Sequence, residues 1–341
     1  MTFRELLLAA PADGTEWSGG LACQVAAARP GTTKTGKPYL ELELADGTGA
    51  ERIKLWSDAP AYEEAQGLRP GAFLWVEAVF RRNGFGLNPD RLHFRPLSEE
   101  ESAALLAGTP ERRDFLAGEL AYIEEAAASL ADPRLRVLCQ VFFSQYGERF
   151  ARAAAARDFH HARRGGLVEH VAQMLRGAAA LAPVYPRLNW DLVRAGVLFH
   201  DCGKLWENDY AAEGFVMPYT QIGELLGHIP VGMELVNALW RTVAEREEFT
   251  QAATPSAEQV KLHLLHLIAS HHGQREFGAP VTPRTPEAWA LHYLDNLDAK
   301  LEMLRSAYEE KAEIAPGIFD RRPPLEGRPV RSLAAYVPPA A

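Results

Sequence analysis

Asp191-Leu192-Val193-Arg194-Ala195-Gly196-Val197-Leu198-Phe199-His200-Asp201-Cys202-Gly203-Lys204 is an apolar helical run that ends on two side chains able to hold a cation. An imidazole supplies one coordination bond, and an adjacent carboxylate can bridge two ions. Taken alone, the dipeptide fits an ordinary helix end with Gly203 as its C-cap equally well. Its company decides. His170 lies in the helix that opens at Gly165-Gly166, His228 in Glu224-Leu225-Leu226-Gly227-His228, His271-His272 at the end of the apolar run Val260 to Ser270, and Asp295 inside Ala288 to Leu304. His271 follows Leu264, Leu267 and Ile268 on its own face, and Asp295 follows Leu291 and Leu294 at helical spacing. Polar groups directed inward from separate helices are costly unless something pairs with them, which a metal would do.

Working outward, the pattern is helical over 112–130, 133–146, 148–156, 166–181, 189–201, 220–246, 256–272 and 286–312, with Pro or Gly between the segments. Upstream the period changes. Trp17 to Arg29, Tyr39 to Leu44, Arg52 to Trp56, Phe73 to Phe80 and Phe85 to Phe94 read as strands, with Asp46-Gly47-Thr48-Gly49 as a hairpin turn and a short helix near Pro60 to Gln66. Five strands with one helix between the third and fourth is the order of a small Greek-key barrel of the OB type. The expected fold is therefore α+β and multidomain: residues 1–97 an OB-type barrel, 98–111 a linker, 112–315 an all-α domain, and 316–341 a Pro-rich tail running extended over the surface.

Composition narrows the class. A chain of 341 residues with 47% hydrophobic and 24% charged content is globular and long enough for two domains. A formal charge of -9 argues against a protein that coats duplexes through a broad basic face, yet a local groove or a metal centre can still take up phosphates. Cys23, Cys139 and Cys202 stand far apart, so no disulfide framework is expected. Without a secretory-type apolar leader or an apolar stretch of membrane-spanning length, a cytoplasmic protein with no membrane partner is expected. Of the 11 histidines, only His93 precedes residue 160, which places the chemistry downstream.

The order His170, His200-Asp201, Asp295 resembles the H...HD...D signature of HD-domain metal-dependent phosphohydrolases, and His228 and His271 match the subset with a second metal. The likeness narrows further. Ala156-Arg157-Asp158-Phe159-His160-His161-Ala162 with Gly165-Gly166-Leu167-Val168-Glu169-His170, then Gly223-Glu224-Leu225-Leu226-Gly227-His228-Ile229, Ser270-His271-His272-Gly273 and Asp295-Asn296-Leu297-Asp298-Ala299-Lys300 resemble the YhaM-type 3′-to-5′ exoribonucleases. Those proteins also carry an OB domain before the HD domain. Arg163-Arg164 depart from that pattern, where an aromatic and an apolar residue are expected, and this bears on the substrate surface.

The resemblance implies roles. His170, His200, Asp201 and Asp295 would hold one ion, and His228 and His271, with Asp201 bridging, a second; His272 would be a further ligand or face the substrate. Mixed imidazole and carboxylate donors suit Mn²⁺, with Fe²⁺ or another transition metal as alternatives and Mg²⁺ less suited. Two such ions activate a water for hydrolysis of a phosphodiester. Lys204 would pair with a phosphate oxygen or stand solvated at a helix end. Asp298, Lys300, His161 and Arg163 would orient ligands or contact phosphate, and His160 would line the entrance. On the barrel, Lys34, Lys37, Tyr39, Lys54, Trp56, Arg81, Arg82 and Phe85 are candidates for contact with a single strand, against the alternative that the aromatics fill the core. Residues 1–96 carry 11 Lys+Arg and 12 Asp+Glu, so no basic surface singles them out.

The implied activity is exonucleolytic hydrolysis of single-stranded RNA from the 3′ end, with single-stranded DNA as an open second substrate and homo-oligomers allowed. Two alternatives stand beside it. One is an HD phosphohydrolase of a small nucleotide or cyclic dinucleotide with a regulatory OB domain; the other is a nucleic-acid adaptor with a degenerate HD domain.

Overall fold

The computed structural model describes residues 1–9, 14–83, 86–208, 210–311 and 313–336, without the side chains of 82, 83 and 86. After helix α1 (Phe3–Ala9) come strands β1 (Glu16–Thr32), β2 (Pro38–Asp46) and β3 (Gly49–Trp56), the short helix α2 (Tyr62–Ala65), and strands β4 (Phe73–Asn83) and β5 (Gly86–Pro96). The sheet order is β3-β2-β1-β4-β5, so a three-strand meander is joined by a fourth strand that returns to the first. With α2 between β3 and β4, this is the Greek-key order of an OB-type barrel.

One long strand serves both halves of that barrel. The first part of β1 pairs antiparallel with β4 (Leu21↔Val76) and the second with β2 (Ala28↔Leu42), and a bulge between Val25 and Ala27 lets it bend from one to the other. Strict alternation sends Leu40, Leu42, Leu44, Ile53 and Leu55 inward, where they pack with Leu21, Val76 and Phe80. Helix α1, which the sequence reading leaves unassigned, adds Phe3 and Leu6 to this core, and Asp46 accepts from the Phe3 amide at 2.6 Å.

The helices are α3 (Glu99–Ala107), α4 (Pro110–Ala128), α5 (Pro133–Arg152), α6 (Gly166–Leu181), α7 (Trp190–Phe199), α8 (Lys204–Glu207), α9 (Gln221–Leu226), α10 (His228–Val243), α11 (Glu247–Thr250), α12 (Ala257–Ser270) and α13 (Pro286–Glu310). Four of the starts have a plain chemical reason: Ser98 and Glu101 form a capping box on α3, Thr109 and Asp132 cap α4 and α5 ahead of a proline, and Ser256 with Gln259 boxes α12. Three expectations change here. The stretch expected as a linker is largely α3; 133–152 is one helix rather than two; and 220–246 is interrupted at Gly227, where φ is 71° and only glycine is at ease.

The described residues of Met1–Asp46, Ala50–Leu97 and Lys300–Ala341 form one compact unit, and Gly47–Gly49 with Ser98–Ala299 the other. The second unit has a core of Leu167, Val171, Val193, Val197, Leu264, Leu267, Ile268 and Leu291, in which α7 packs against α5, α6 and α12. The segment after residue 300 groups with the barrel rather than with the helices. It is also not simply extended: β6 (Glu313–Ala315) pairs with β7 (Ile318–Phe319), Phe319 is buried beside Tyr308, and Arg4 reaches Glu309 at 2.7 Å. Apolar Ile318 and Phe319 give this segment something to bury, which its proline content conceals. No helix among the described residues is long and apolar enough to cross a membrane.

Candidate metal centre

Two close backbone approaches bring the histidine-bearing helix ends together. A β-carbon on Gly203 would stand 1.9 Å from the His228 carbonyl oxygen, so only glycine lets the turn after Asp201 lie against the start of α10. A β-carbon on Gly166 would stand 2.0 Å from the His161 carbonyl oxygen, which fixes the 157–164 loop against the start of α6. His170 follows one turn into α6, His200 closes α7, His228 opens α10, His271 closes α12, and Asp295 and Asp298 lie one turn apart on α13. Residues scattered from 170 to 298 thus converge in the helical unit.

Asp201 is the pivot. Its Oδ2 faces His200 Nε2 at 3.3 Å and His170 Nε2 at 3.9 Å, and His170 Nε2 lies 3.4 Å from Asp295 Oδ1. Its Oδ1 faces the other way, 3.5 Å from His228 Nε2 and 3.6 Å from His271 Nε2. Each imidazole is held from behind. Val197 O and Ile268 O lie 2.8 Å from the Nδ1 atoms of His200 and His271, Glu207 Oε2 2.8 Å from that of His228, Asp298 Oδ2 2.6 Å from that of His170, and Phe277 O 2.6 Å from that of His272. With Nδ1 donating, each Nε2 lone pair points inward, the arrangement that metal-binding histidines adopt.

The fit to a cation is tested by what lacks a partner. Asp201 Oδ1, His228 Nε2 and His271 Nε2 are buried with no hydrogen-bond partner among the described residues. Orphaned buried acceptors are costly, and a divalent ion satisfies all three at once. The facing donors stand 3.3 to 3.6 Å apart, a spacing at which one cation could touch both members of a pair. His170, His200 and Asp201 form one group with ligand atoms within 4.8 Å of one another, and His228, His271 and His272 form a second.

The electrostatics point the same way. Burial works against ionised carboxylates, yet Lys204 and His200 hold Asp201 well below the usual carboxylate range, and His170 with His200 does the same for Asp295. Burial would lower His170, but Asp295 and Asp298 outweigh it and push the imidazole up to about 10. That is a field that attracts a positive charge. His271 is driven well below its ordinary value by burial, with His272 and His200 adding to it, and His160 falls to about 3 chiefly by burial. Both are neutral imidazoles, and of the two only His271 belongs to a ligand group; at His170 a bound ion would displace the extra proton.

Most expected site residues gather here. Lys204 does not stand solvated: it is buried, its Nζ 2.9 Å from Asp201 Oδ2 and also donating to the Ala155 carbonyl. His161 is buried and reaches Asp298 Oδ2 at 3.0 Å, so Asp298 ties His161 to His170. Arg163 and Arg164 are anchors. Arg163 clasps Glu169 at 3.0 and 2.6 Å, with Arg112 on the same carboxylate, and Arg164 donates to the carbonyls of Ala211, Ala212 and Gly214 at 2.8 to 3.0 Å. Lys300, half-buried, lies further along α13. Sequence reasoning missed Glu207, Glu169 and Arg157. Glu207 alone left a trace, standing six residues after Asp201 and three after Lys204.

On the barrel, alternation turns Lys54 and Trp56 outward, with Trp56 37% exposed and Tyr39 half-buried beside it, rings 5.6 Å apart. Lys37 lies 5.5 Å over Trp56 and Lys54 5.3 Å over Tyr39. Neither aromatic fills the core. Lys37 also pairs with Asp58 at 2.8 Å, Lys34 is exposed in the β1–β2 turn, and Arg81 pairs with Glu16 at 2.8 Å. Phe85 and the side chain of Arg82 lie outside the described residues.

Comparison with known proteins adds to this geometry. The HD domain family matches residues 167–300. A 3′-5′ exoribonuclease YhaM of Oceanobacillus iheyensis is 34% identical over 86% of this chain and 86% of its own, and that of Bacillus subtilis 33% identical over 86% and 87%. Among solved structures, the second OB-fold domain of replication protein A from Methanococcus maripaludis covers 24% of this chain and 87% of its own, at 24% identity and a TM-score of 0.19.

Proposed function

The chain belongs to the YhaM 3′-5′ exoribonuclease family, a hydrolytic exonuclease with an HD domain, and from that premise we propose that it shortens single-stranded RNA from the 3′ end with two divalent ions, Mn²⁺ favoured. The observation that carries the two-ion reading is the divided carboxylate of Asp201, one oxygen toward His170 and His200 and the other toward the orphaned nitrogens of His228 and His271. His170, His200, Asp201 and Asp295 form the first ligand group; His228, His271 and Asp201, closed by His272, form the second. Bound ions supply an activated water nucleophile and neutralise charge on the phosphoryl oxygens.

The chain's own groups prepare that centre. Lys204 keeps the shared carboxylate ionised and oriented, so it acts on the reaction through Asp201. Asp298 fixes the tautomer of His170, and His161 fixes Asp298 in turn. Behind them, Glu169 is held low by Arg163 and Arg112 against the effect of burial and locks the loop that carries His161. On the barrel, Trp56 and Tyr39 offer ring faces for bases, while Lys54, Lys34 and Lys37 stand near for phosphates.

The test is digestion of 5′-labelled single-stranded RNA and DNA, with mononucleotides alongside, in Mn²⁺ or in chelator. A ladder shortening from the 3′ end on RNA only when metal is present supports the proposal. Turnover of mononucleotides with intact RNA would assign the centre to a small substrate instead.

A further inference from the structure

We infer that Glu207 is a positioning residue for the second ligand group: by accepting a hydrogen bond from His228 Nδ1–H it sets the affinity of the ion that His228 and His271 would hold, and leaves the ion of His170, His200 and Asp295 unaffected. The inference rests on the two-ion reading above and deepens it.

Four histidines face the divided carboxylate, and they are held in two different ways. His200 and His271 lean on the carbonyls of Val197 and Ile268, three residues back in their own helices, so the main chain orients them whatever side chains stand nearby. His170 and His228 lean on carboxylates, Asp298 at 2.6 Å and Glu207 at 2.8 Å. Each group therefore has a single histidine set by an acidic side chain that is not itself among the inward-facing donors, and in the second group His272 leans on the Phe277 carbonyl as His271 leans on that of Ile268. A carboxylate behind an imidazole fixes its tautomer and raises its basicity, and loss of such a partner lowers metal affinity ~10–100-fold.

Glu207 is built to hold that position. Asp201, Lys204 and Glu207 recur every three residues across the turn and α8, so one segment delivers the shared carboxylate, the ammonium beside it and the partner of His228. The Glu207 main chain is pinned as well: Arg157 Nη2 donates to its carbonyl at 2.7 Å, and Arg157 itself is braced by the Met217 carbonyl at 3.0 Å and by the Tyr219 ring, 4.2 Å from the guanidinium. His228 in turn opens α10 directly after the break at Gly227, so no carbonyl three residues back in its own helix orients its ring.

The experiment titrates the full, metal-stripped chain with Mn²⁺ alone, followed by calorimetry and by the Mn²⁺ paramagnetic resonance signal. Wild type is compared with Glu207→Gln, Glu207→Ala, His228→Gln and the Glu207→Gln, His228→Gln double variant. The expected result is two binding steps in wild type and loss of one in His228→Gln. Glu207→Gln weakens that same step about tenfold or more and leaves the other unchanged. In the double variant the remaining step keeps its wild-type affinity, whereas a merely structural role would weaken that step as well. Two unaltered steps in Glu207→Gln overturn the inference and leave the two-ion reading standing, as does equal weakening of both steps. A single step in wild type overturns both. Glu207→Gln is nearly isosteric, so the test stands even where Glu207→Ala fails to fold.

Discussion

Replacing Gly203 by alanine probes whether the close approach at the HD turn is what registers His228 against Asp201. The backbone there has φ -68° and ψ -19°, so alanine meets no torsional strain and any effect is one of contact. Its β-carbon would lie 1.9 Å from the His228 carbonyl oxygen and 2.7 Å from the Gly232 amide nitrogen, both main-chain atoms that cannot rotate aside. The start of α10 must therefore retreat by roughly 1 Å in a close-packed interior. Overpacking of this kind costs ~1–3 kcal/mol in stability. The functional loss is of similar size, because a displacement of ~1 Å at a reacting centre is worth ~10²-fold in rate, or about 2.7 kcal/mol. His228 would draw away from Asp201 Oδ1, now 3.5 Å distant, while His170, His200 and Asp295 on the other side keep their places. Mn²⁺ titration should then show the second step lost and the first retained, and digestion of 5′-labelled RNA should slow about a hundredfold. A Gly203→Ala protein that binds both ions and degrades RNA at the wild-type rate would refute the claim that this contact sets the geometry.

Glu169→Gln strands Arg112 and Arg163 beside a neutral amide, and breaking a buried pair in this way costs about 3–5 kcal/mol. The two arginines hold the Glu169 carboxyl below its ordinary value, so the stabilisation it gives is present above the unfolded value of about 4.3 and fades as pH falls below it. Urea unfolding should accordingly show a gap between wild type and variant that is widest at neutral pH and closes in acid; a gap independent of pH would rule out the ionised pair as its source. Trp56→Ala removes an exposed ring without touching the barrel core, and should weaken binding of a labelled single-stranded oligoribonucleotide to the metal-free chain by about 1–3 kcal/mol. Unchanged anisotropy titrations would take Trp56 out of the nucleic-acid surface.

The residues that gather around Asp201 were legible because each left a local mark, an inward-facing His or Asp on an otherwise apolar helical face. The strands of the barrel were legible through period-two alternation, which also settles what the sequence left open for Trp56: with Ile53 and Leu55 inside, Lys54 and Trp56 are outside. What stayed hidden depends on long-range contact. Glu207 and His228 are 21 residues apart and meet only when Gly203 brings the turn against α10. Lys204 reads as a helix-end cation until the Ala155 carbonyl and Asp201 are seen around it. Residues 300–310 continue the last helix without any change of period, so nothing local marks that the chain from Lys300 onward groups with the barrel.

The arginines explain how an acidic chain can work on a polyanion. Near the metal centre Arg152 donates to the Tyr210 carbonyl, Arg157 to those of Glu207 and Met217, Arg164 to three carbonyls of the 211–214 loop, and Arg163 with Arg112 is spent on Glu169. Arg152, Arg157 and Arg164 act as backbone clamps. They fix the irregular segments 157–164 and 210–220, which no strand or long helix holds, and so position His161, Glu207 and the approach to His228. On the proposed two-ion reading, the ions that His170, His200, Asp201, His228, His271 and Asp295 would hold would supply positive charge for the scissile phosphate.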